Sequence, residues 1–243
     1  MKSEFDWGHD SPHLVEMHEE VFGLNCYENV YSVKDGDVVL DIGASIGPFT
    51  WSIMDKASKV IAVEPSKTCL PILEKNTNGY NVFIENKALG KWDGKGSIAY
   101  VGHFDKSQNK SEDVYIPEKV PTISFKSLIK KYKLSKIDFI KTDCEGGEYN
   151  LFTDENMPYL LNNVRNIVGE FHLSSDNPID KIEFRYFRDK YLTQFKNYRV
   201  FSSDGIDITW SLFNDKPYNS SNRPNLPPFI DYYNGVIIHI SNE

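Results

Sequence analysis

The sequence predicts an α/β fold, in which a mostly parallel β-sheet carries helices on both faces. Short apolar runs rich in β-branched residues alternate along the chain with stretches of helical periodicity, and this alternation is typical of parallel sheets. The last two apolar runs have no obvious helix between them. They therefore indicate an antiparallel pair of strands at one edge of the sheet.

In the first half of the chain, three apolar runs predict strands, and two segments between them predict helices. The strands are expected at Val38–Ile42, Lys59–Val63 and Asn81–Glu85. A helix is expected to begin near Pro48, and the next helix has Pro71 in its first turn, where a missing N–H costs nothing.

The second half begins with its least regular part, Gly90–Pro121, which is predicted to be a surface hairpin or excursion with a polar run at 105–113. Helices are predicted at Phe125–Tyr132 and, with an amphipathic pattern, at Ile182–Phe195. The segment Asn214–Pro228, rich in Asn and Pro, is predicted to be a loop. Four further strands are predicted from their apolar runs: 137–141, 164–171, 198–202 and 235–240.

Length, charge and cysteine content exclude several classes of protein. The 243 residues suit a single domain, with an N-terminal helical or lid segment (1–33) before the core (34–243). A net charge of −8 argues against non-specific nucleic-acid binding. Three scattered cysteines form neither a disulfide framework nor a zinc site. No apolar stretch is long enough for a membrane span and no signal segment is apparent, so we expect no membrane insertion and a cytoplasmic location.

The turn after the first predicted strand has the features of a cofactor site. Gly43 and Gly47 permit close approach of a ligand, but Asp41 replaces the first glycine of the dinucleotide fingerprint. An acidic residue there disfavours a pyrophosphate and suits an ammonium group, such as that of S-adenosylmethionine. Glu64, about 20 residues further on, is placed to bind ribose hydroxyls. The alternative is a tight turn that binds nothing.

Polar residues also follow the later strands. Asn86 and Ala88 could contact the edge of an adenine, although an ordinary turn explains them equally well. Asp143, Glu145 and Glu148 lie within six residues. A helix start enriched in acids accounts for Glu148 but poorly for Asp143.

The predicted fifth parallel strand ends with Glu170 and His172, whose side chains should point to the same side. A histidine near a carboxylate is a common proton acceptor at neutral pH. Asp143, Glu170 and His172 could alternatively hold a divalent cation such as Mg²⁺ or Mn²⁺. The N-terminal histidines, His9, His13 and His18, are expected to be solvated, because their spacing gives no clean metal-binding face.

Taken in order, these segments resemble the FkbM-type family of S-adenosylmethionine-dependent methyltransferases. The resemblance covers about 29–172, and its most specific parts are the Asp-x-Glu-Gly segment at Asp143 and the Glu-x-His segment at Glu170. It implies a class I (Rossmann-like) methyltransferase fold with seven strands and an antiparallel C-terminal hairpin. It also implies methylation of a hydroxyl, most often of a sugar in a glycan or glycoconjugate, or else of a small natural product.

By motif position, the resemblance implies that Asp143, Glu170 and His172 face the substrate. The residues expected to contact the cofactor are Asp41, Gly43, Ala44, Ser45, Gly47, Glu64, Pro65, Asn86, Ala88 and Asp143. We hypothesise that either His172, oriented by Glu170, or a divalent cation activates the acceptor hydroxyl.

Three other functions remain open from the sequence. A nicotinamide-dependent oxidoreductase would share Glu64, but Asp41 and the glycine spacing count against it. An RNA ribose methyltransferase would share the cofactor site, but the acidic charge balance counts against it. A non-catalytic binding module would not require the acidic residues at the strand ends, so the presence of Asp41, Glu64 and Asp143 counts against it.

Overall fold

A computed structural model describes residues 2, 4–8, 17–101, 115–173, 178–213 and 233–243. The chain order of the strands in this part is β1 (Val38–Ile42), β2 (Lys59–Val63), β3 (Val82–Glu85), β4 (Ala88–Gly90), β5 (Gly94–Val101), β6 (Tyr115–Ser124), β7 (Ile137–Thr142), β8 (Val164–His172), β9 (Asn197–Phe201) and β10 (Gly235–Ser241). The α-helices are α1 (Pro48–Ile53), α2 (Leu70–Thr77), α3 (Phe125–Tyr132), α4 (Met157–Asn163) and α5 (Pro178–Tyr186).

The main sheet has seven strands in the order β3-β2-β1-β7-β8-β10-β9. The first five of these pair in parallel, and β10 lies between β8 and β9, antiparallel to both. This arrangement confirms the predicted parallel sheet and its antiparallel edge pair. Because β1, β2, β7 and β8 run in parallel, their carboxyl ends meet at one edge of the sheet, where ligands bind in such folds.

Apolar residues cover both faces of the sheet, which explains why its strands are nearly continuous apolar runs. Leu40 of β1 packs in the core cluster on one face, whereas its neighbour Val39 packs on the other. Every residue of β7 is buried, including Asp138 and Lys141. A charged lysine inside the central strand therefore requires charged neighbours.

The helices begin where the sequence supplies suitable residues. α1, α2 and α4 each carry a proline in the first turn, where no hydrogen bond is lost. α3 begins after Ser124, whose hydroxyl accepts a hydrogen bond from the Ser127 N–H. The longest α-helix in the described part of the chain, α5, has nine residues, so none of these helices could cross a bilayer.

Two predicted segments differ in detail from the structure. The predicted helix Ile182–Phe195 is not one regular helix: α5 ends at Tyr186, and a π-helical turn (Phe187–Tyr191) and a 3₁₀ turn (Leu192–Gln194) follow. The irregular region after β3 contains a three-stranded sheet with order β4-β6-β5, so the predicted hairpin is confirmed. Its polar run 105–113 and the predicted loop 214–228 lie outside the described residues.

Part of the N-terminal segment packs against the sheet face that α1 covers. It contains a π-helical turn at Glu19–Gly23, while the division into an N-terminal helical or lid segment and a core stays a prediction. Val21, Tyr27 and Val33 are buried in the core cluster that also contains Phe49 of α1. This packing brings Tyr27 close to the carboxyl edge of the sheet.

Candidate active site

The turn between β1 and α1 is shaped by close packing against the neighbouring strand end. Gly43 has φ +76°, and a Cβ there would lie 1.7 Å from the Asp143 carbonyl oxygen. Gly47 has φ +89°, and its Cβ would meet Leu73 at 2.6 Å. Ser45 also has a positive φ, and Ala44 is buried beside Leu73. The two glycines are therefore required by the local fold, whatever ligand the turn binds.

Asp41 lies inside the protein and has an internal cationic neighbour. Its side chain is fully buried, and Oδ2 accepts a hydrogen bond of 2.6 Å from the Thr50 hydroxyl. The Lys141 ammonium lies 3.7 Å from Asp41 Oδ1. Burial raises the pKa of Asp41, and Lys141 acts in the opposite direction. The cation that faces Asp41 in this structure is thus Lys141.

Lys141 connects the glycine turn to the end of β7, and the sequence analysis missed it. Its Nζ donates to the Gly43 carbonyl at 2.8 Å and lies 3.4 Å from Asp143 Oδ2. Burial favours the neutral amine, but Asp143 and Asp41 outweigh it and raise the pKa of Lys141, so the ammonium stays charged. A lysine in a buried strand with the apolar residues Ile137, Phe139 and Ile140 was the available sequence signal.

Glu64 occupies the end of β2, facing the glycine turn. Its Oε2 accepts the Ser45 N–H at 2.8 Å, and its Oε1 accepts the Ser66 N–H at 2.7 Å. Burial raises the pKa of Glu64, and these two hydrogen bonds act against that rise. The position at the strand end and beside the turn agrees with the expected place of a ribose-binding carboxylate.

Asn86 fixes the loop that follows β2. Its side-chain amide donates to the carbonyl oxygens of Glu64 and Pro65, at 3.0 and 3.1 Å. Ala88 lies in β4 and is partly buried. Asn86 thus holds the Glu64 backbone in place, while the contact of Asn86 and Ala88 with an adenine stays a prediction.

Asp143 follows β7 directly and receives a hydrogen bond from the N-terminal segment. The Tyr27 hydroxyl donates to Asp143 Oδ2 at 2.9 Å, and the Tyr27 ring lies 5.2 Å from Lys141 Nζ. Burial tends to raise the pKa of Asp143, but Lys141, His172 and the Tyr27 hydroxyl lower it overall. Asp143 is therefore ionised. No motif in the sequence pointed to Tyr27.

His172 is oriented by Glu148, so the expectation that Glu170 orients it is wrong. The ring Nδ1 lies 3.1 Å from Glu148 Oε1, and Nε2 lies 3.3 Å from Glu145 Oε2. Side chains two positions apart in a strand stand side by side, so Glu170 does not reach around to Nδ1. Burial disfavours the imidazolium, but the Glu148 hydrogen bond and the surrounding carboxylates raise the pKa of His172 to about 10.

Glu148, which the sequence explained as an acidic helix start, belongs to the site. It begins a 3₁₀ helix (Glu148–Leu151), and its fully buried carboxylate turns back towards the preceding loop. Its Oε1 accepts the N–H groups of Cys144 and Gly146, at 2.8 and 3.1 Å. The short helix therefore aims a fixed carboxylate at His172.

The predicted catalytic residues come together at the ends of β7 and β8. Asp143, Glu170 and His172 each offer one ligand atom, and these atoms lie within 4.8 Å of one another. Burial, followed by the charge of Asp143, raises the pKa of Glu170 to about 8. Of the N-terminal histidines, His18 is exposed, as predicted, although its ring also contacts Trp7 and Phe22. His9 and His13 lie outside the described residues.

Comparisons with known proteins were made on the sequence and on the fold. A family model of the methyltransferase FkbM domain matches residues 41–201. A ribosomal RNA small subunit methyltransferase A from Alkaliphilus oremlandii is 38% identical over 63 residues, which are 26% of this chain and 22% of that protein. The protein of the same name from Lachnoclostridium phytofermentans is 32% identical over 91 residues, 37% of this chain and 29% of its own length.

The chain thus spans less than a third of the length of these curated relatives. Among solved structures, a crystal structure of a fibrillarin/Nop5p complex matches with a TM-score of 0.51 at 14% identity, covering 93% of this chain and 82% of the matched chain. The likeness to this structure concerns the fold.

Proposed function

Because the chain belongs to the methyltransferase FkbM domain family and is an S-adenosylmethionine-dependent methyltransferase, we propose that it methylates a hydroxyl oxygen. The proposed acceptor is a sugar of a glycan or glycoconjugate. One observation carries this proposal: Asp143, Glu170 and His172 converge where β7 and β8 end. An aliphatic hydroxyl is a weak nucleophile until its pKa is lowered or its proton removed, and this cluster supplies groups for that purpose.

The residues proposed to hold the cofactor surround the ends of β1 and β2. S-adenosylmethionine, when bound, supplies a methyl group on a positively charged sulfur. Glu64 lies beside the Gly43–Gly47 turn and is fixed by two backbone N–H groups, so its carboxylate is held ready to accept hydrogen bonds from ribose hydroxyls. Asp41 is buried behind the turn, where it accepts a hydrogen bond from Thr50 and lies beside Lys141.

The residues proposed to act on the acceptor lie next to the glycine turn, which packs against Asp143. Methyl transfer is an in-line displacement, so the acceptor oxygen must be held opposite the sulfur. Lys141 bonds to the Gly43 carbonyl and lies 3.4 Å from Asp143 Oδ2, which fixes the acceptor side relative to the cofactor turn. Activation of the hydroxyl is proposed at the cluster, either by a divalent cation such as Mg²⁺ or Mn²⁺ or by His172 as proton acceptor. Because the pKa of His172 is raised to about 10, the second route requires the neutral form of the imidazole.

The charge of the site favours an uncharged acceptor over RNA. Glu145 and Glu148 contact His172 in addition to the nearby Asp143 and Glu170, so four carboxylates surround the imidazole. Phosphate groups near them would be repelled, and the chain as a whole carries a net charge of −8. RNA, the substrate class in the names of the two curated relatives, is therefore less suited than a sugar or a small natural product.

Calorimetric titration with S-adenosylhomocysteine and, separately, with NAD tests the cofactor part of this proposal. We expect S-adenosylhomocysteine alone to bind. Glu64→Ala should weaken its binding by about 10- to 100-fold, because hydrogen bonds to a charged group are lost. Glu155→Ala, which removes a mostly exposed carboxylate, serves as the matched control and should bind normally. Equal affinity in both variants would remove Glu64 from the cofactor site.

The acceptor is tested with tritium-labelled S-adenosylmethionine offered together with neutral oligosaccharides or with ribosomal RNA. We expect label in the oligosaccharide fraction, in a form that resists alkaline ester hydrolysis, as a methyl ether does. Label in RNA alone would contradict the proposal and would favour the activity named for the curated relatives.

A further inference from the structure

We propose that Asp143, Glu170 and His172 bind one divalent transition-metal ion, of which Mn²⁺ is the representative, and that Glu148 is the residue that positions His172 for it. This inference rests on the proposed function, because it identifies how the acceptor hydroxyl is activated: of the two routes, the cation lowers the pKa of the hydroxyl, so that its proton passes to solvent water. The methyl group then moves from the sulfur to the acceptor oxygen, and S-adenosylhomocysteine is the leaving group. His172 then serves as a ligand, and its role as the proton acceptor is excluded.

The geometry of the three side chains suits a small cation. Their ligand atoms lie within 4.8 Å of one another. Metal–ligand distances of about 2.0–2.2 Å place ligand atoms about 3–4 Å apart around one ion, so a small contraction of this cluster completes the site. All three residues come from the ends of neighbouring strands, which are fixed by the β7–β8 pairing. The remaining coordination positions are left for water and an acceptor oxygen.

The orientation of His172 is that of a metal ligand whose second ring nitrogen is held by a carboxylate. Histidine ligands almost always donate the ring N–H that does not face the metal to a carboxylate or carbonyl, which fixes the tautomer and the ring plane. Nδ1 of His172 lies 3.1 Å from Glu148 Oε1, and that carboxylate is itself held by two backbone N–H groups. Nε2 lies 3.3 Å from the mostly exposed Glu145 carboxylate, and it is the nitrogen that would face an ion once that carboxylate moves aside.

A second, independent observation is the incomplete pairing of Glu148. Its side chain is fully buried, and among the described residues its Oε2 has no hydrogen-bond partner. A buried carboxylate is costly unless neighbouring charge compensates it. The basic partner of Glu148 is His172, and three further carboxylates, Asp143, Glu145 and Glu170, lie around the same imidazole. Lys141 lies 3.4 Å from one of them, Asp143. A divalent cation between Asp143, Glu170 and His172 would supply the compensating charge.

The donor set also indicates the class of ion. Mg²⁺ prefers oxygen ligands and retains water, whereas an imidazole nitrogen combined with carboxylates suits Mn²⁺ and later first-row ions. We therefore expect Mn²⁺ to bind more tightly than Mg²⁺ at this site.

Binding of Mn²⁺ to the chelator-treated full chain, followed by the loss of the electron paramagnetic resonance signal of free Mn²⁺, tests the proposal without any acceptor. We expect one ion per chain. His172→Ala should weaken binding at least about 100-fold, and Glu148→Gln about 10- to 100-fold. Glu155→Gln, a change in a mostly exposed carboxylate that pairs with Lys126, is the matched control and should not alter binding.

Calorimetry with S-adenosylhomocysteine on the same samples verifies that each variant is folded and separates the two proposals. Absence of S-adenosylhomocysteine binding in the wild type would contradict the proposed function, independently of the Mn²⁺ result. Normal S-adenosylhomocysteine binding without Mn²⁺ binding, or Mn²⁺ binding that survives His172→Ala, would overturn the cation site. Equal displacement of Mn²⁺ by Mg²⁺ at equal concentrations would overturn the assignment to a transition-metal ion.

Discussion

His172 and His239 are two buried histidines on neighbouring strands whose surroundings have opposite effects. His172 ends β8, and His239 lies inside β10 opposite Val168. Cross-strand neighbours and alternate residues share a face, so both rings lie on the same side of the sheet, separated by about 13 Å along the strands. Carboxylates raise the pKa of His172 to about 10, whereas burial lowers that of His239 to about 4.

The two pKa values differ because tertiary structure places different groups around each ring. His239 lies 5.5 Å from the Phe201 ring and 6.2 Å from the Tyr31 ring. Within the described part of the chain neither of its nitrogens has a hydrogen-bond partner, although the Cys26 backbone is near enough to favour protonation slightly. A buried histidine is thus a packing residue or a candidate site residue according to whether carboxylates reach it.

The largest expected effect is on activity and separates the two histidines. His172→Ala should lower the rate of methyl transfer to the acceptor by about 10²- to 10⁴-fold, because hydroxyl activation is lost. His239→Phe, which replaces a ring already packed among aromatic side chains, should leave the rate nearly unchanged. Tritium transfer from S-adenosylmethionine measures both rates. Equal losses of rate in the two variants would contradict the assignment of His172 to the site and of His239 to packing.

An effect of intermediate size concerns stability in acid. The folded protein binds a proton at His239 less readily than the unfolded chain, so stability contributed by the neutral ring is present above pH 6.5 and is lost as pH falls towards 4. Between pH 7 and pH 5 this loss amounts to about 2 kcal/mol.

Urea unfolding at the two pH values measures this loss. The raised pKa values of Glu170 and His172 act in the opposite direction in this pH range, so the variant is compared with the wild type. His239→Phe should lack the His239 contribution, and its change in unfolding free energy between the two pH values should differ from that of the wild type by about 2 kcal/mol. Glu155→Gln should match the wild type. If the free energy of unfolding of His239→Phe changes between the two pH values as much as that of the wild type, other groups cause the acid sensitivity.

The smallest effect concerns the N-terminal segment, which contacts Asp143 through Tyr27 and His239 through Tyr31. Tyr27→Phe removes the hydrogen bond to Asp143 and should slow methyl transfer about fivefold, corresponding to about 1 kcal/mol. Tyr31→Phe keeps the ring near His239 and should have no effect on the rate. If Tyr31→Phe slows the reaction as much as Tyr27→Phe does, the segment contributes through its packing as a whole.

The sequence predicted most of the fold and three residues that the structure brings together, Asp143, Glu170 and His172. Strand β1 and the position of α1 were predicted correctly, because a buried strand followed by a glycine turn and a proline has few alternative structures. The end of β8 was predicted together with the shared side of Glu170 and His172. The break between α5 and the following π-helical turn was not, because an amphipathic pattern does not distinguish a regular helix from one that changes type.

Three site residues required the tertiary structure. Lys141 has a clear signal only once its neighbours Asp41 and Asp143 are known. Glu148 had an adequate local explanation as the start of a helix, and Tyr27 reaches Asp143 from 116 residues away in the chain. Each of these contacts joins segments whose relative placement depends on packing.

The sequence alone was enough to predict the seven strands of the main sheet, their mostly parallel arrangement, and which residues stand at the carboxyl ends of the parallel strands. Alternation, apolar runs and turn residues carry this information because they act over short distances. Only the tertiary structure decided which charges meet there. It assigned Lys141 to Asp41, Tyr27 to Asp143 and Glu148 to His172. Hydrogen bonds and ion pairs act over a few ångströms, and those distances are set by how the strands, the N-terminal segment and the short helix after β7 pack together.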